Sequence, residues 1–423
     1  MRILFFGDMG PTGFGTVTRS LGVELINLGH DVRFVSQNAV RGDIPEPFGS
    51  RTYRVGDDDE FEPDLVNGGQ LVRGLGQASL AFISTGYAGF FDGRLWDGWT
   101  PEAGIVLGDP GNIRLMVMRD EITRAAFSMV PIWHYVPIEG IDLPPTWREM
   151  WSFIKPIAMS NFGADEIEKL TGSRPPMVYH GVDSKTFHPV ARDNMLVITD
   201  NENVIHKLRD KAACKKFITQ NANARILLRT DSNWPRKRYP ELFRAMAPVL
   251  HERPDVVLIV HAQRQWVGGD LEDWLSKYPP HIRSRMIVTN AGGQVDEKFM
   301  VALYNAADLY VSNSAEGFGL TIAEAMACGT PAVGLEYSAV PEVIGPGGAT
   351  VPIASLVDNE YGYFWAGIDQ RKMAATVGAL LDDPARLREL GRAAVRHVTE
   401  SFRWDAAAVQ FAEIMSGRDE VAA

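Results

Sequence analysis

The stretch NSAEGFGLTIAEAMACGTPAVG (Asn313–Gly334) carries two acids, Glu316 and Glu324, with seven residues between them. Gly317 and Gly319 take side chains out of the turn before a helical pattern. The amides of Phe318, Gly319 and Leu320 can then face a ligand with the roughly half positive charge of a helix N-terminus. Such amides suit a phosphate, whereas carboxylates beside a phosphate repel it. The two acids must therefore address something uncharged, and hydroxyls are the natural partners. A nucleotide-sugar offers a diphosphate, sugar hydroxyls and ribose hydroxyls in one molecule. Glu324, one turn into the helix, is placed for the ribose, and Glu316, on the loop, for the sugar. Either acid alone reads equally as a surface residue or as a first-turn acid complementing the dipole. The pair, taken with G-F-G, the small apolar helix AEAMACG and the strand PAVG, points to a site.

A departing diphosphate needs positive charge. LLRTDSNWPRKRYP (Leu227–Pro240) supplies Arg229 at a strand end and the triplet Arg236, Lys237, Arg238 in a turn. A charged triplet is ordinarily a solvated turn, but this one sits at a strand's carboxyl end, where α/β sheets bind ligands. His134, in IWHYVPIEG, lies on an apolar strand, where a histidine satisfied within the core is the ordinary finding. A second glycine loop, GDMGPTGFG (Gly7–Gly15), joins the first strand to the first helix. It misses the dinucleotide fingerprint: the third glycine of G-x-G-x-x-G falls on Thr18, and the second strand ends in Gln37 and Asn38 where NAD requires an acid. Gly13, Phe14 and Gly15 still let backbone amides approach a ligand. Asp57–Glu60, DDDE, contains the Asp-x-Asp that some sugar-transfer enzymes use to hold a metal. No apolar strand leads into it, which favours a solvated loop.

These residues need elements to position them. The chain alternates short apolar runs with amphipathic stretches, the pattern of parallel α/β layers. In the first half, Ile3–Phe6, Val32–Ser36, Ile105–Leu107, Pro131–Val136 and Pro156–Met159 read as strands. Phe14–Gly29 is a helix with Val17, Leu21, Leu25 and Leu28 on one stripe, and Ser160 or Asn161 caps another running to Leu170. Gly172–Asn194, rich in Pro and Gly, ends that half. The second half repeats the rhythm with strands at Arg225–Arg229, Val256–His261, Met286–Val288, Leu309–Ser312 and Ala332–Gly334, and its clearest helix is PELFRAMAPVLHER. The expected domains are 1–190, 191–400 and a C-terminal helix in 401–423. At 423 residues the chain exceeds one ordinary core, consistent with that division.

The net charge of −11 disfavours a chain that must coat a nucleic-acid backbone. No apolar run is long enough to cross a membrane. The start, MRILFFGDMGPTGFG, is a strand and a turn, not a signal peptide. Cys214 and Cys328 are the two cysteines and both lie in helical patterns, which suits a reducing, cytoplasmic setting.

E-G-F-G-L-x-x-x-E-A-M-A-C-G-x-P-x-V resembles the donor-binding motif of the two-domain GT-B glycosyltransferases, and within them the retaining enzymes of glycosyltransferase family 4. YNAADLYVSNS, AMSNFGADEIEKL, VYHGVDSKTFHP and TGFG resemble further family segments in the same order. The resemblance weakens from Arg41 to Gly104 and after about Glu400. It implies two Rossmann-like domains facing each other across a cleft, with the C-terminal helix crossing back to the first. It implies transfer of a hexose from a UDP- or GDP-sugar to an acceptor hydroxyl, without a required metal or cofactor. The acceptor would be a sugar, a lipid-linked glycan, a small molecule or, against the charge balance, a nucleic acid. By position, Glu316 would meet the sugar hydroxyls, Gly317 to Thr321 the sugar and phosphate, and Glu324 the ribose. Gly13 to Gly15 would lie against the diphosphate and acceptor, and His134 near the transferred sugar. Lys237 matches the family's phosphate lysine. Arg229 and Arg236 compete for its arginine, because Arg229 is spaced further from Lys237 than is usual. A nucleotide-sugar epimerase, or a protein that only binds the nucleotide-sugar, would share this architecture.

Overall fold

The computed structural model describes residues 1–36, 46–54, 98–118, 121–200, 203–290 and 296–417. The acidic run Asp57–Glu60 lies outside these. The chain forms two compact units: Met1–Gly181 with Glu360–Tyr363 and the C-terminal stretch from Trp404, and Val182–Asn359 with Phe364–Arg403.

The first unit is built on a parallel sheet of β1 (Arg2–Gly7), β2 (Asp31–Ser36), β3 (Thr52–Arg54), β4 (Ala103–Leu107), β5 (Ile132–Val136) and β6 (Lys155–Ala158). Their order across the sheet is β3-β2-β1-β4-β5-β6. Strands β4 and β5 are buried along their whole length, as expected where helices cover both faces of a sheet. The chain leaves β1 through the turn Asp8–Thr12 and enters the helix Gly13–Asn27, capped by the Thr12 side chain on the Gly15 amide. The helix Asn161–Thr171 starts from a Ser160 cap and ends at Gly172, whose φ of 82° is the left-handed conformation glycine accepts most readily. The C-terminal helix Trp404–Met415 belongs to this unit. Its Phe411 ring meets Tyr135 edge-on at 4.8 Å, and Trp404 lies 5.6 Å from His180.

The second unit repeats the plan with β7 (Arg225–Thr230), β8 (Val256–Ala262), β9 (Met286–Asn290), β10 (Leu309–Val311), β11 (Ala332–Leu335) and β12 (Gly348–Val351), in the order β9-β8-β7-β10-β11-β12. Each sheet thus reverses direction between its first and fourth strands, β1 and β4 or β7 and β10. That reversal opens the crevice in which such sheets hold ligands. The strands expected in the sequence are present, each displaced by a residue or two at its ends. β12 escaped notice because Gly348 and its neighbours read as a turn, and the antiparallel hairpins Leu196–Thr199/Ile205–Leu208 and Ile353–Asp358/Phe364–Ile368 are additions to the expected plan.

The turn after β1 is tightly closed. Asp8 accepts the Gly10 amide at 2.7 Å and the Thr12 hydroxyl, while Arg19 donates to the carbonyls of Met9 and Gly10 at 2.9 and 2.7 Å. A Cβ on Gly15 would stand 1.9 Å from the Gly10 oxygen, so the residue is dictated by close backbone approach. Gly15→Ala is expected to force this turn apart and cost about 1–3 kcal/mol, seen as a melting temperature lower by several degrees. Unchanged thermal unfolding would show that the turn yields freely.

Candidate functional site

The second unit's crevice gathers charge from three chain segments. Arg229 stands near the carboxyl end of β7, in a run otherwise suited to the core, and is fully buried. Its Nη1 donates to Ser312 Oγ at 2.6 Å, and its Nη2 donates to Asp231 Oδ2 and Ser314 Oγ, both at 2.7 Å. Pro235–Lys237 forms a 3₁₀ turn closed by the Lys237 amide on the Trp234 carbonyl. From it Lys237, also buried, reaches both oxygens of Glu316 at 2.7 and 2.6 Å and Asp231 at 3.1 Å. Arg236 approaches Glu316 at 3.7 Å and keeps a third of its side chain exposed. Asn313 Nδ2 donates to the Arg238 carbonyl at 2.8 Å, fixing the end of this turn, where Arg238 has a φ of 53°.

Glu316 is held from every side. Its amide donates to Ser338 Oγ at 2.9 Å, and its carbonyl accepts from the Ala339 amide at 3.2 Å. Its side chain also accepts from Ser314 at 2.7 Å and lies 3.4 Å from Arg229. Burial opposes its ionisation, but Lys237, Arg236 and Arg229 prevail and hold the carboxyl at about 2. Burial also disfavours the Arg229 charge, yet Tyr310, Asp231 and Glu316 raise its pKa, so the guanidinium stays charged.

Past Glu316 the chain turns at Gly319, with a φ of 107° that favours glycine, into the helix Leu320–Ala327. Ile322 and Ala323 are the first amides paired back into this helix, both to the Gly319 carbonyl, so those before them point ahead of it. The Phe318 ring is buried edge-on against Phe402 at 5.1 Å, leaving its backbone as the part facing the turn. Thr321 accepts from the Tyr310 hydroxyl at 2.8 Å. Glu324 accepts from Tyr304 at 2.8 Å. Part of Glu324 remains accessible. Even so, burial raises its pKa to about 7, with Tyr304 opposing the rise and Glu297 adding to it.

The structure therefore brings together Arg229, Arg236, Lys237, Glu316 and the turn Gly317–Leu320, with Thr321 and Glu324 on the helix that follows. Gly13, Phe14 and Gly15 lie in the other unit, at the equivalent reversal of its own sheet. His134 is in that unit as well, fully buried on β5 with both ring nitrogens engaged: Nε2 with the Gly108 carbonyl at 3.0 Å and Nδ1 with Trp151 Nε1 at 3.2 Å. Burial lowers its pKa to about 4, against the pull of the Gly108 hydrogen bond. The ring is thus a neutral tie between β4's end and the helix Thr146–Phe153. Asp231, Ser312, Ser314 and Tyr304 were not anticipated. Asp231 had a sequence signal, an acid just past an arginine at a strand's end, whereas Tyr304 reads as an ordinary buried helix residue. Among the described residues no group of three or more His, Cys, Asp or Glu could hold a metal ion, and no helix is long and apolar enough to cross a membrane.

Two parallel six-stranded sheets of the same winding, one bearing this acid–cation crevice, make up a GT-B fold. The sucrose-phosphate synthase of Thermosynechococcus elongatus has the same fold, with a TM-score of 0.70 over 100% of both chains at 18% identity. Residues 225–383, which contain every cation and acid of the crevice, match the family model for glycosyl transferases group 1. The chain is 26% identical to the MMP alpha-(1->4)-mannosyltransferase of Mycolicibacterium hassiacum across 97% of its own length and 96% of that protein's. It is 33% identical to the D-inositol 3-phosphate glycosyltransferase of Thermobispora bispora, across 48% of its own length and 46% of that protein's. The chain is a glycosyltransferase, and its match to group 1 lies in residues 225–383.

The two glutamates titrate in opposite senses. Between about pH 4.5 and 7 the folded state keeps the Glu324 proton that the unfolded chain has released, so this residue makes stability fall as pH rises. Glu316 contributes stability that is complete above about 4.5 and is lost as pH falls towards 2. Glu324→Gln is therefore expected to gain on the wild type between pH 4.5 and pH 8, by at most about 3 kcal/mol. Urea unfolding at both pH values checks this, and parallel pH profiles for the two proteins would contradict it.

Proposed function

We propose that this glycosyltransferase moves a hexose from a UDP- or GDP-sugar to an acceptor hydroxyl, with retention at the anomeric carbon and without a metal ion. One observation carries the proposal: an ionised, buried Glu316 beside amides that open a helix, with Lys237 and Arg236 at its rim. The names of two relatives, a mannosyltransferase and an inositol-phosphate glycosyltransferase, support a sugar as the group transferred and a hydroxyl-bearing acceptor.

In this scheme the donor lies along the carboxyl edge of the second sheet. Its ribose hydroxyls rest on Glu324, its diphosphate on the amides of Gly319 and Leu320, and its sugar hydroxyls on Glu316. Lys237 and Arg236 neutralise the charge that gathers on the phosphate as the anomeric C–O bond breaks and the nucleoside diphosphate leaves with the electron pair. Arg229, whose Nη groups are already engaged, holds Glu316 and Ser314 in place. The acceptor oxygen bonds to the anomeric carbon on the face the phosphate leaves, and its proton passes to the departing phosphate oxygen. No separate base is required. In the first unit Gly13 and Phe14 offer amides for the acceptor, the Gly15 amide being taken by Thr12, and His134 keeps its ring nitrogens on Gly108 and Trp151.

Glu316→Gln keeps the shape of the side chain and removes its charge, and Lys237→Ala removes a cation. Each is expected to lower kcat/KM for sugar transfer by about 100-fold or more, with activity otherwise resistant to EDTA. Lys237→Ala also leaves buried carboxylates short of a partner, so its melting temperature is measured alongside. Wild-type turnover in both variants would put the site elsewhere, and loss of activity with EDTA would remove the metal-free scheme.

A further inference from the structure

Buried polar atoms without a hydrogen-bond partner are rare in folded chains. Among the described residues Arg229 Nε, His261 Nε2 and Asn313 Oδ1 are such atoms. They cluster at the carboxyl ends of three adjacent strands, β7, β8 and β10. Arg229 and Asn313 belong to the site already described, but nothing in the proposed chemistry uses His261.

His261 is 7% exposed, and its Nδ1 is 2.8 Å from Thr289 Oγ1. Thr289 thus engages Nδ1, and Nε2, which has no partner, is the ring nitrogen left for a ligand. Burial lowers the pKa of the ring to about 4, which keeps it neutral. His261 is in register with Thr230 on β7 and Thr289 on β9. Paired residues of a sheet project to one face, so these three side chains form a line. Thr230 Oγ1 is 3.1 Å from the Tyr304 hydroxyl, which donates to Glu324. A row of polar groups therefore runs Glu324, Tyr304, Thr230, His261, Thr289 along one face of the sheet. The Phe299 ring, 5.7 Å from the imidazole, adds an apolar surface at the same end.

In a nucleotide whose ribose rests on Glu324 the base is the neighbouring group, and this row is the polar surface that leads away from Glu324 along the sheet. We propose that His261 recognises the base of the donor nucleotide, its Nε2 hydrogen-bonding the polar edge of the base. This rests on the assignment of the ribose to Glu324. It makes His261 a specificity residue for the nucleotide and gives it no part in sugar chemistry.

The test is calorimetric titration of wild type, His261→Ala and His261→Gln with UDP, GDP, ADP and inorganic pyrophosphate, with melting temperatures recorded in parallel. His261→Ala is expected to weaken the preferred nucleoside diphosphate roughly five- to ten-fold while leaving pyrophosphate within two-fold, because pyrophosphate has no base. His261→Gln, whose amide offers a donor and an acceptor near the Nε2 position, is expected to recover part of the loss. Unchanged nucleotide binding in His261→Ala, or equal loss of nucleotide and pyrophosphate, overturns the proposal and leaves the ribose assignment standing. A wild type that binds pyrophosphate as tightly as every nucleotide, or a Glu324→Ala that binds nucleotide normally, removes the ribose assignment and this proposal with it.

Discussion

The Glu316 carboxylate, held out of water by Lys237, Arg229 and Arg236, is the interaction on which the second unit's architecture turns. With Asp231 the cluster sets three cations against two carboxylates, leaving one positive charge in excess. Clusters of this kind are poor sources of stability, since the cost of dehydrating the ions offsets most of their attraction. What the cluster supplies is fixed geometry. It joins the ends of β7 and β10 to the turn Pro235–Lys237, and Ser338, after β11, grips the Glu316 backbone. Any movement of one segment exposes an uncompensated charge, so the crevice holds its shape before a ligand arrives. That excess of positive charge is what a diphosphate would meet.

The two sheets wind identically and yet end differently at the same topological point. In the first unit the turn after β1 satisfies itself: Asp8, Thr12 and Arg19 consume the local donors and acceptors. In the second unit the end of β7 and the turn after β10 leave Arg229 Nε and Asn313 Oδ1 without partners although both are buried. A closed turn contributes shape and backbone amides. An open one, with unmet hydrogen-bonding capacity, calls for a polar ligand. The difference assigns the more specific recognition to the second unit, where the match to group 1 glycosyltransferases also lies.

Much of this was legible in the sequence because parallel strands buried on both faces appear as continuous apolar runs, such as Val256–His261. The pairing of Glu316 with Glu324 was equally visible, since the glycines between them explain each other only around a ligand. Arg229 was harder. A strand-end arginine can rise towards a ligand or fold inward, and only the packing shows that Ser312, Ser314 and Asp231 had claimed its Nη groups. His134 illustrates the opposite limit: its sequence setting resembles that of a sugar-contacting histidine, but Gly108 and Trp151 occupy both its nitrogens. Neither partner is near it in sequence. His261 carried no signal at all, because its meaning lies in register with strands far along the chain.

Glu316 and Glu324 are the same residue type on one loop–helix segment, and their surroundings drive them apart. Three cations keep Glu316 ionised. At Glu324 burial, with Glu297 adding to it, outweighs the Tyr304 hydrogen bond and raises the carboxyl to about 7. Had both been fully ionised without compensation, the amides opening the helix would face a net negative field and would repel phosphate. Instead one acid is neutralised by its cations and the other by its own proton for part of the time. A hydroxyl is a suitable guest for both, since it can donate to an ionised carboxylate and accept from a protonated one. The helix terminus between them keeps its positive character, and a ligand that is half alcohol and half anion finds each half provided for.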